Sequence, residues 1–228
     1  MSQIFNVLKK HRRLDLTLVV GIACVLSVSL ALFRVYYTGK LTFLFLNWNL
    51  FLALLPWGIS SVLQMNQNNL NSIFKWIGIS LWLLFFPNAP YMLTDLFHLH
   101  QRNDIPLWFD LPLIVSFAFT GLMLGFISLM DIQDIITKMY GKTTGWVFSF
   151  SSLMLGSFGV YLGRYLRFNS WDLITTPTVL LHEIADTILH PFTDPKVYAI
   201  TILYSLLLIV GYLLLQQMRS MNFQENES

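Results

Sequence analysis

Apolar runs long enough to cross a lipid bilayer recur along this chain and leave room for little else. A spanning helix needs about 20 largely apolar residues, and such runs occupy about residues 16–33, 43–63, 107–130, 145–166 and 197–218. A sixth begins near Ile73, reads IFKWIGISLWLLFF and meets Pro87 and Pro90. Proline removes a backbone donor and clashes with the preceding turn, so a helix stopped there is expected, about 21 Å long. Composition agrees, because 55% of the residues are hydrophobic and 11% charged, against roughly a quarter charged in soluble domains. The expected fold is all-α: an integral membrane helical bundle of about six transmembrane helices, with short interfacial or re-entrant helices starting at Pro90 and near Leu180. The longest connection, 167–196, has no room for a soluble domain. Residues 1–228 therefore read as a single multi-pass membrane domain, with 1–15 a basic N-terminal segment and 219–228 a polar tail.

The start, KKHRRLDL before an apolar run, has the outline of a signal peptide. The run exceeds the usual signal length and ends at Leu32, Phe33 and Arg34 without small residues for cleavage, so it reads as an uncleaved anchor. Lys9, Lys10, Arg12 and Arg13 place the N-terminus in the cytoplasm, and an even number of crossings returns the C-terminus to the same side. The bias is modest, since Arg34, Lys40, Arg102, Arg164, Arg167 and Lys196 fall on the outer face. The lone Cys24 excludes an intramolecular disulfide. A dispersed net charge of +2 argues against nucleic acid as a partner. Nucleotide-loop, Gly-x-Ser-x-Gly and paired-cysteine motifs are absent, which argues against a nucleotide-driven pump, a common hydrolase or a zinc ribbon and leaves the cofactor open.

The unusual polar residues concentrate in two stretches, FPNAPYMLTDLFHLHQRNDIPLWFD and GVYLGRYLRFNSWDL, which follow the third and fifth spans and so share a side. In the first, Asn88 reads as an N-cap and Pro90 as the opening turn of a short helix. On such a helix Tyr91, Thr94, Asp95 and His98 fall on one face at i, i+3, i+4 and i+7. In the second, Arg164 and Arg167 are i, i+3 neighbours at the end of the fifth span, with Asp95, Asp110 and Asp172 as available carboxylates. Gly121 and Gly125 on the fourth span, with Gly156, Gly159 and Gly163 on the fifth, suggest close packing between those two spans.

PNAPYMLTDLFHL, the following WFD and YLGRYLRFNSWDL resemble the signatures of a bacterial membrane family catalogued as domain of unknown function 1361. The resemblance implies a multi-pass bacterial membrane protein whose signature residues are Asn88, Ala89, Pro90, Tyr91, Thr94, Asp95, His98, Asp110, Gly163, Arg164, Arg167, Asn169, Ser170, Trp171 and Asp172. It implies no activity.

The residues themselves suggest an outward-facing polar pocket for a small anionic or lipid-like ligand, between the ends of the third, fourth and fifth spans. Arg164 and Arg167 would grip the anion, because a guanidinium fork matches phosphate and carboxylate. Asn88, Tyr91 and Asn169 would orient it, with Thr94, Asp110, Ser170, Trp171 and Asp172 nearby. Asp95 and His98 are the candidate catalytic pair, supplying charge balance or proton transfer. An Asp-x-x-His pair presents two ligands to a metal, but needs Asp110, Asp172 or His182 to complete a site, and ion pairs or hydrogen bonds explain the same residues. VLLHEIADTILH echoes a zinc motif with Asp186 in place of the second histidine, and an interfacial helix with Val179, Leu180, Ile184 and Ile188 facing lipid accounts for it simply. Asn47 and Asn49 suit interhelical hydrogen bonds. Three classes remain open: a binding or transport protein, a membrane-embedded enzyme acting on a lipid or envelope substrate, and an assembly partner without chemistry. The oligomeric state is also open.

Overall fold

The structure, a computed structural model, describes residues 13–101, 104–189 and 195–225. Lys9, Lys10, Arg12, Arg102 and His190 lie outside them. The described residues are helical without strands: α1 (Leu14–Thr38), α2 (Phe45–Asn66), α3 (Ser72–Phe85), α4 (Asn88–Tyr91), a 3₁₀ helix (Met92–His98), α5 (Leu107–Tyr140), α6 (Lys142–Arg164), α7 (Asp172–Thr175), α8 (Pro177–Leu189) and α9 (Pro195–Glu225). Six helices are long and apolar enough to cross a membrane, with Ser72–His98 counted as one of them. The protein is a multi-pass all-α bundle. By its contacts the chain divides within α5 into two compact units, Met1–Ile132 and Gln133–Ser228.

In the first unit, α1 runs past Phe33 and keeps Arg34 inside the helix, ending only at Gly39, whose φ of 65° suits a residue without Cβ. The contacts Arg13–Asp131, Arg34–Asp110, Ser60–Asp131, Asn49–Asp95 and Leu63–Gly78 make α1, α2, the Ser72–His98 span and α5 alternate in direction. Leu63 of α2 fills the space beside Gly78 of α3, and the Trp82 indole N–H donates to Ser128 of α5 at 3.1 Å. At the centre Phe43, Leu46, Leu50, Met92, Leu113 and Phe117 are buried.

α3 ends at Phe85 after 14 residues, ahead of the prolines as expected, and the span is carried on by α4 and the 3₁₀ helix to His98. Pro87 and Pro90 deprive the Leu83 and Phe86 carbonyls of their i+4 donors. The Ala89 N–H turns to the Phe86 carbonyl at 3.1 Å, which leaves the Phe85 carbonyl to the Asn88 side-chain amide at 2.9 Å. Asn88 therefore mends the kink as a donor and is not the N-cap expected of it. The close packing expected between the fourth and fifth spans also finds another partner. Gly121 receives Met92, whose Cβ and Cγ would lie 3.0 Å from an added methyl, and Gly125 receives the Ala89 methyl, likewise at 3.0 Å. The small residues on α5 make room for the kinked segment, bringing the residues that follow it against the bundle.

In the second unit α6 packs against α9. The Tyr212 hydroxyl donates to the Gln133 side-chain carbonyl, and the Gln216 amide reaches both of them at 2.8 Å. Arg219 pairs with Asp134 at 2.7 Å, so the polar tail begins inside α9. Tyr212→Phe is expected to cost about 1 kcal/mol, the scale of a hydrogen bond between membrane helices, read as a lower melting temperature of the detergent-solubilised protein. The amphipathic helix expected near Leu180 is α8, opened by Pro177 at its first turn. Leu180 is buried in protein rather than facing lipid.

Candidate functional site

Helices α1 and α5 carry opposite charges at matching depths. Arg34 on α1, 1% exposed, donates from Nε to Asp110 Oδ1 at 2.7 Å and from Nη2 to Oδ2 at 3.1 Å. This two-pronged geometry is the one guanidinium and carboxylate form best. The guanidinium also lies 4.6 Å from the centre of the Phe43 ring. At the other end of the same helices Arg13 donates to Asp131 at 2.7 Å, and the Ser60 hydroxyl reaches the same oxygen at 3.0 Å. Arg13 and Arg34 stand 21 residues apart (34 − 13), as do Asp110 and Asp131 (131 − 110). At 1.5 Å per residue that is about 31 Å, close to the roughly 30 Å thickness of a bilayer's hydrocarbon core. Both ion pairs thus sit where the apolar stretch ends, and both bind the antiparallel helices in a single register.

Around the Arg34 end the polar residues continue. Lys40 meets Asp104 at 3.3 Å, and Arg34 lies 4.0 Å from the same carboxylate. The Asp104 carboxyl is held below the ordinary aspartate range, first by a hydrogen bond from its own backbone N–H and then by Lys40 and Arg34. Phe43 adjoins Phe45, and the Phe45 ring lies 5.1 Å from that of His98. These aromatic rings connect the Arg34 pair to the second polar group, built around Asp95.

Asp95 is 1% exposed. Its Oδ2 accepts from the Asn49 amide of α2 at 3.0 Å, and its Oδ1 lies 3.9 Å from His98 Nδ1, on a side chain 36% exposed. The geometry comes from the 3₁₀ helix, where three residues make a turn and side chains at i and i+3 stand one above the other. That stacks His98 on Asp95. The Thr94 hydroxyl is satisfied internally, donating to the Tyr91 carbonyl at 2.7 Å. Tyr91, Thr94, Asp95 and His98 therefore do not form the α-helical stripe expected of them: Thr94 and Asp95 are buried, while Tyr91 and His98 are half-buried. The Asn49 contact matches the interhelical role expected for it. Asn47 instead donates to the Leu44 carbonyl of its own chain segment at 3.2 Å.

In the second unit, α6 ends at Arg164, which is half-buried. Arg167 lies beyond the helix with a left-handed φ of 62° and is exposed, so the two arginines do not share a helical face. The chain turns because the Phe168 N–H closes back on the Leu162 carbonyl at 3.1 Å. Asp172 then locks the turn, accepting from the Asn169 N–H at 2.7 Å and the Thr175 hydroxyl at 3.1 Å. Ser170 is half-buried and Trp171 exposed within that turn.

Asp110, one of the residues expected to complete a metal site with Asp95 and His98, has both its oxygens engaged by Arg34. Among the described residues no group of three or more His, Cys, Asp or Glu is placed to hold a metal ion. Arg34 is the functional candidate that the sequence reading left in a loop, although a cation at each end of one apolar run and a carboxylate at each end of another, equally spaced, is a readable signal. No curated protein and no solved structure matches the chain. Residues 48–210 match the family described as a protein of unknown function, DUF1361; the match takes in α2 to α9 and most of the chain, which belongs to that family.

Proposed function

We propose that this membrane protein binds or moves a small anionic or lipid-like ligand, and that its first unit meets the ligand at the Arg34 end, through Asp95 and His98. The observation that carries this is a carboxylate sealed from solvent beside an imidazole that is one-third exposed. An ionisable group in a membrane domain is costly and by default functional. Here Asn49 steadies the carboxylate, so the one-third-exposed His98 meets a ligand while Asp95 balances the charge when the ring is protonated. Asn88, Tyr91 and Thr94 shape the backbone that leads to the pair. In the second unit, Arg164 and Arg167 with Asn169, Ser170, Trp171 and Asp172 form a polar turn by themselves, and we assign the two arginines the role of anion contacts there. The membrane in this reading is the bacterial cell membrane, with both chain ends cytoplasmic.

The same Asp95 and His98 pair supports a second reading, a membrane-embedded enzyme on a lipid or envelope substrate, in which the pair transfers a proton. Both readings are tested on Asp95→Asn and His98→Gln variants of the full chain in detergent, titrated with short-chain phosphatidylglycerol and inorganic phosphate. Asn keeps the shape of Asp95 and its contact with Asn49, so melting is expected to change little while affinity falls about tenfold, or about 1.4 kcal/mol. Folded variants that bind both probes as tightly as wild type would refute the binding reading. Turnover of the lipid by wild type but not by Asp95→Asn would establish the enzyme.

A further inference from the structure

A second set of polar atoms lies at the opposite end of the first unit, away from Asp95. Four side-chain atoms there are cut off from solvent and have no hydrogen-bond partner: Arg13 Nη1, Trp57 Nε1, Ser61 Oγ and Gln64 Oε1. Native structures satisfy roughly nine in ten buried polar groups, and three of these four belong to one helix. Trp57, Ser61 and Gln64 recur at i, i+4 and i+7 on α2 and therefore share one face of it. Ser60 lies on that face too, and its hydroxyl meets Asp131 Oδ2 at 3.0 Å, the oxygen that takes Arg13 Nη2 at 2.7 Å. Asp131 thus ties Arg13 to the stripe. The Arg13 side chain is 9% exposed and keeps its second guanidinium nitrogen unused.

We infer that this face of α2, with Arg13, is a binding site for an oxyanion, a phosphate or phosphoester group. The unused groups are a guanidinium nitrogen, an indole N–H and a hydroxyl, all able to donate. The Gln64 amide adds a donor by turning about its last torsion, since its oxygen and nitrogen are interchangeable assignments. Buried donors left unused on this face suit an acceptor-rich occupant. Asp131 is the carboxylate beside the site, and it offsets the Arg13 charge, so recognition falls on the hydrogen bonds rather than on net charge. The site is independent of the ligand reading at Asp95.

The phosphate has two sources, a phospholipid headgroup or the free anion, and titration calorimetry of the full chain in detergent separates them. The probes are dihexanoyl phosphatidic acid and inorganic phosphate. The variants are Trp57→Phe and Gln64→Leu, which leave the Arg13 and Asp131 pair intact and preserve most of the side-chain volume, with folding checked by melting. Titrated in the Asp95→Asn background, which removes any contribution from the Asp95 site, the chain is expected to bind with a weakening of at least tenfold in either variant. Binding of the phosphatidic acid alone assigns the headgroup, and equal binding of phosphate assigns the free anion. An Asp95→Asn chain that binds neither probe, or variants that bind like it, overturns the site and leaves ordered water as the occupant.

Discussion

Replacing Arg34 by Ala is expected to destabilise the protein by about 3–5 kcal/mol, the cost of leaving one partner of a buried ion pair uncompensated. Asp110 is 1% exposed, and its two oxygens accept the two prongs of Arg34. Without the guanidinium the carboxylate must be protonated or draw water into a packed helix interface. The effect is asymmetric. The double variant Arg34→Met with Asp110→Leu removes both charges while filling the space, and is expected to recover most of the loss, since buried pairs replaced by apolar residues often break even. Lys40→Ala is the contrasting control: its side chain is 60% exposed in its pair with Asp104, and such pairs contribute about 0–1 kcal/mol. Melting in a mild detergent, with SDS unfolding as a second readout, ranks the three. If Arg34→Ala melts like Lys40→Ala, the buried pair does not hold α1 to α5.

The second large effect is expected at Gly121. An added Cβ there meets Met92 Cβ and Cγ at 3.0 Å, so Gly121→Ile drives a branched side chain into the kinked segment. Met92 is completely buried and cannot swing away into lipid. Overpacking of this kind costs about 1–3 kcal/mol. It also carries a specific consequence, because Met92 opens the 3₁₀ helix that holds Asp95. Displacing that helix breaks the 3.0 Å contact from Asn49, so ligand binding at Asp95 is expected to be lost along with the stability. Gly58→Ala is the control. Nothing lies within 4 Å of the added methyl, and alanine in a helix interior gains about 0.5–1 kcal/mol over glycine. Equal melting of Gly121→Ile and wild type would mean that α5 and the kinked segment are not in contact.

The spans themselves were legible from residue types, because bilayer thickness converts the length of an apolar run directly into a crossing. Their edges were less so. Arg34 looked like the end of the first run, yet backbone hydrogen bonding continues to Thr38 irrespective of the side chain, and a cation is tolerated there because another helix supplies its carboxylate. The proline segment shows the same division. Pro87 and Pro90 announce missing donors, but whether the chain stops or bends depends on what takes over the orphaned carbonyls, and Ala89 and Asn88 do so locally.

The candidate site was legible as a list of polar residues in an apolar chain, since each such residue requires a partner away from water. The partners themselves were not legible. Asn49 and Asp95 lie 46 residues apart, and Arg34 and Asp110 lie 76 apart, distances over which residue spacing says nothing. The expected stripe of Tyr91, Thr94, Asp95 and His98 assumed 3.6 residues per turn, whereas the segment winds at three, which stacks His98 on Asp95. The sequence by itself determined that this is a membrane protein of about six crossings with charges confined to the ends of its spans, because hydrocarbon admits little else. Only the tertiary structure decided which charge meets which, because pairing depends on the register of helices that are neighbours in space and strangers along the chain.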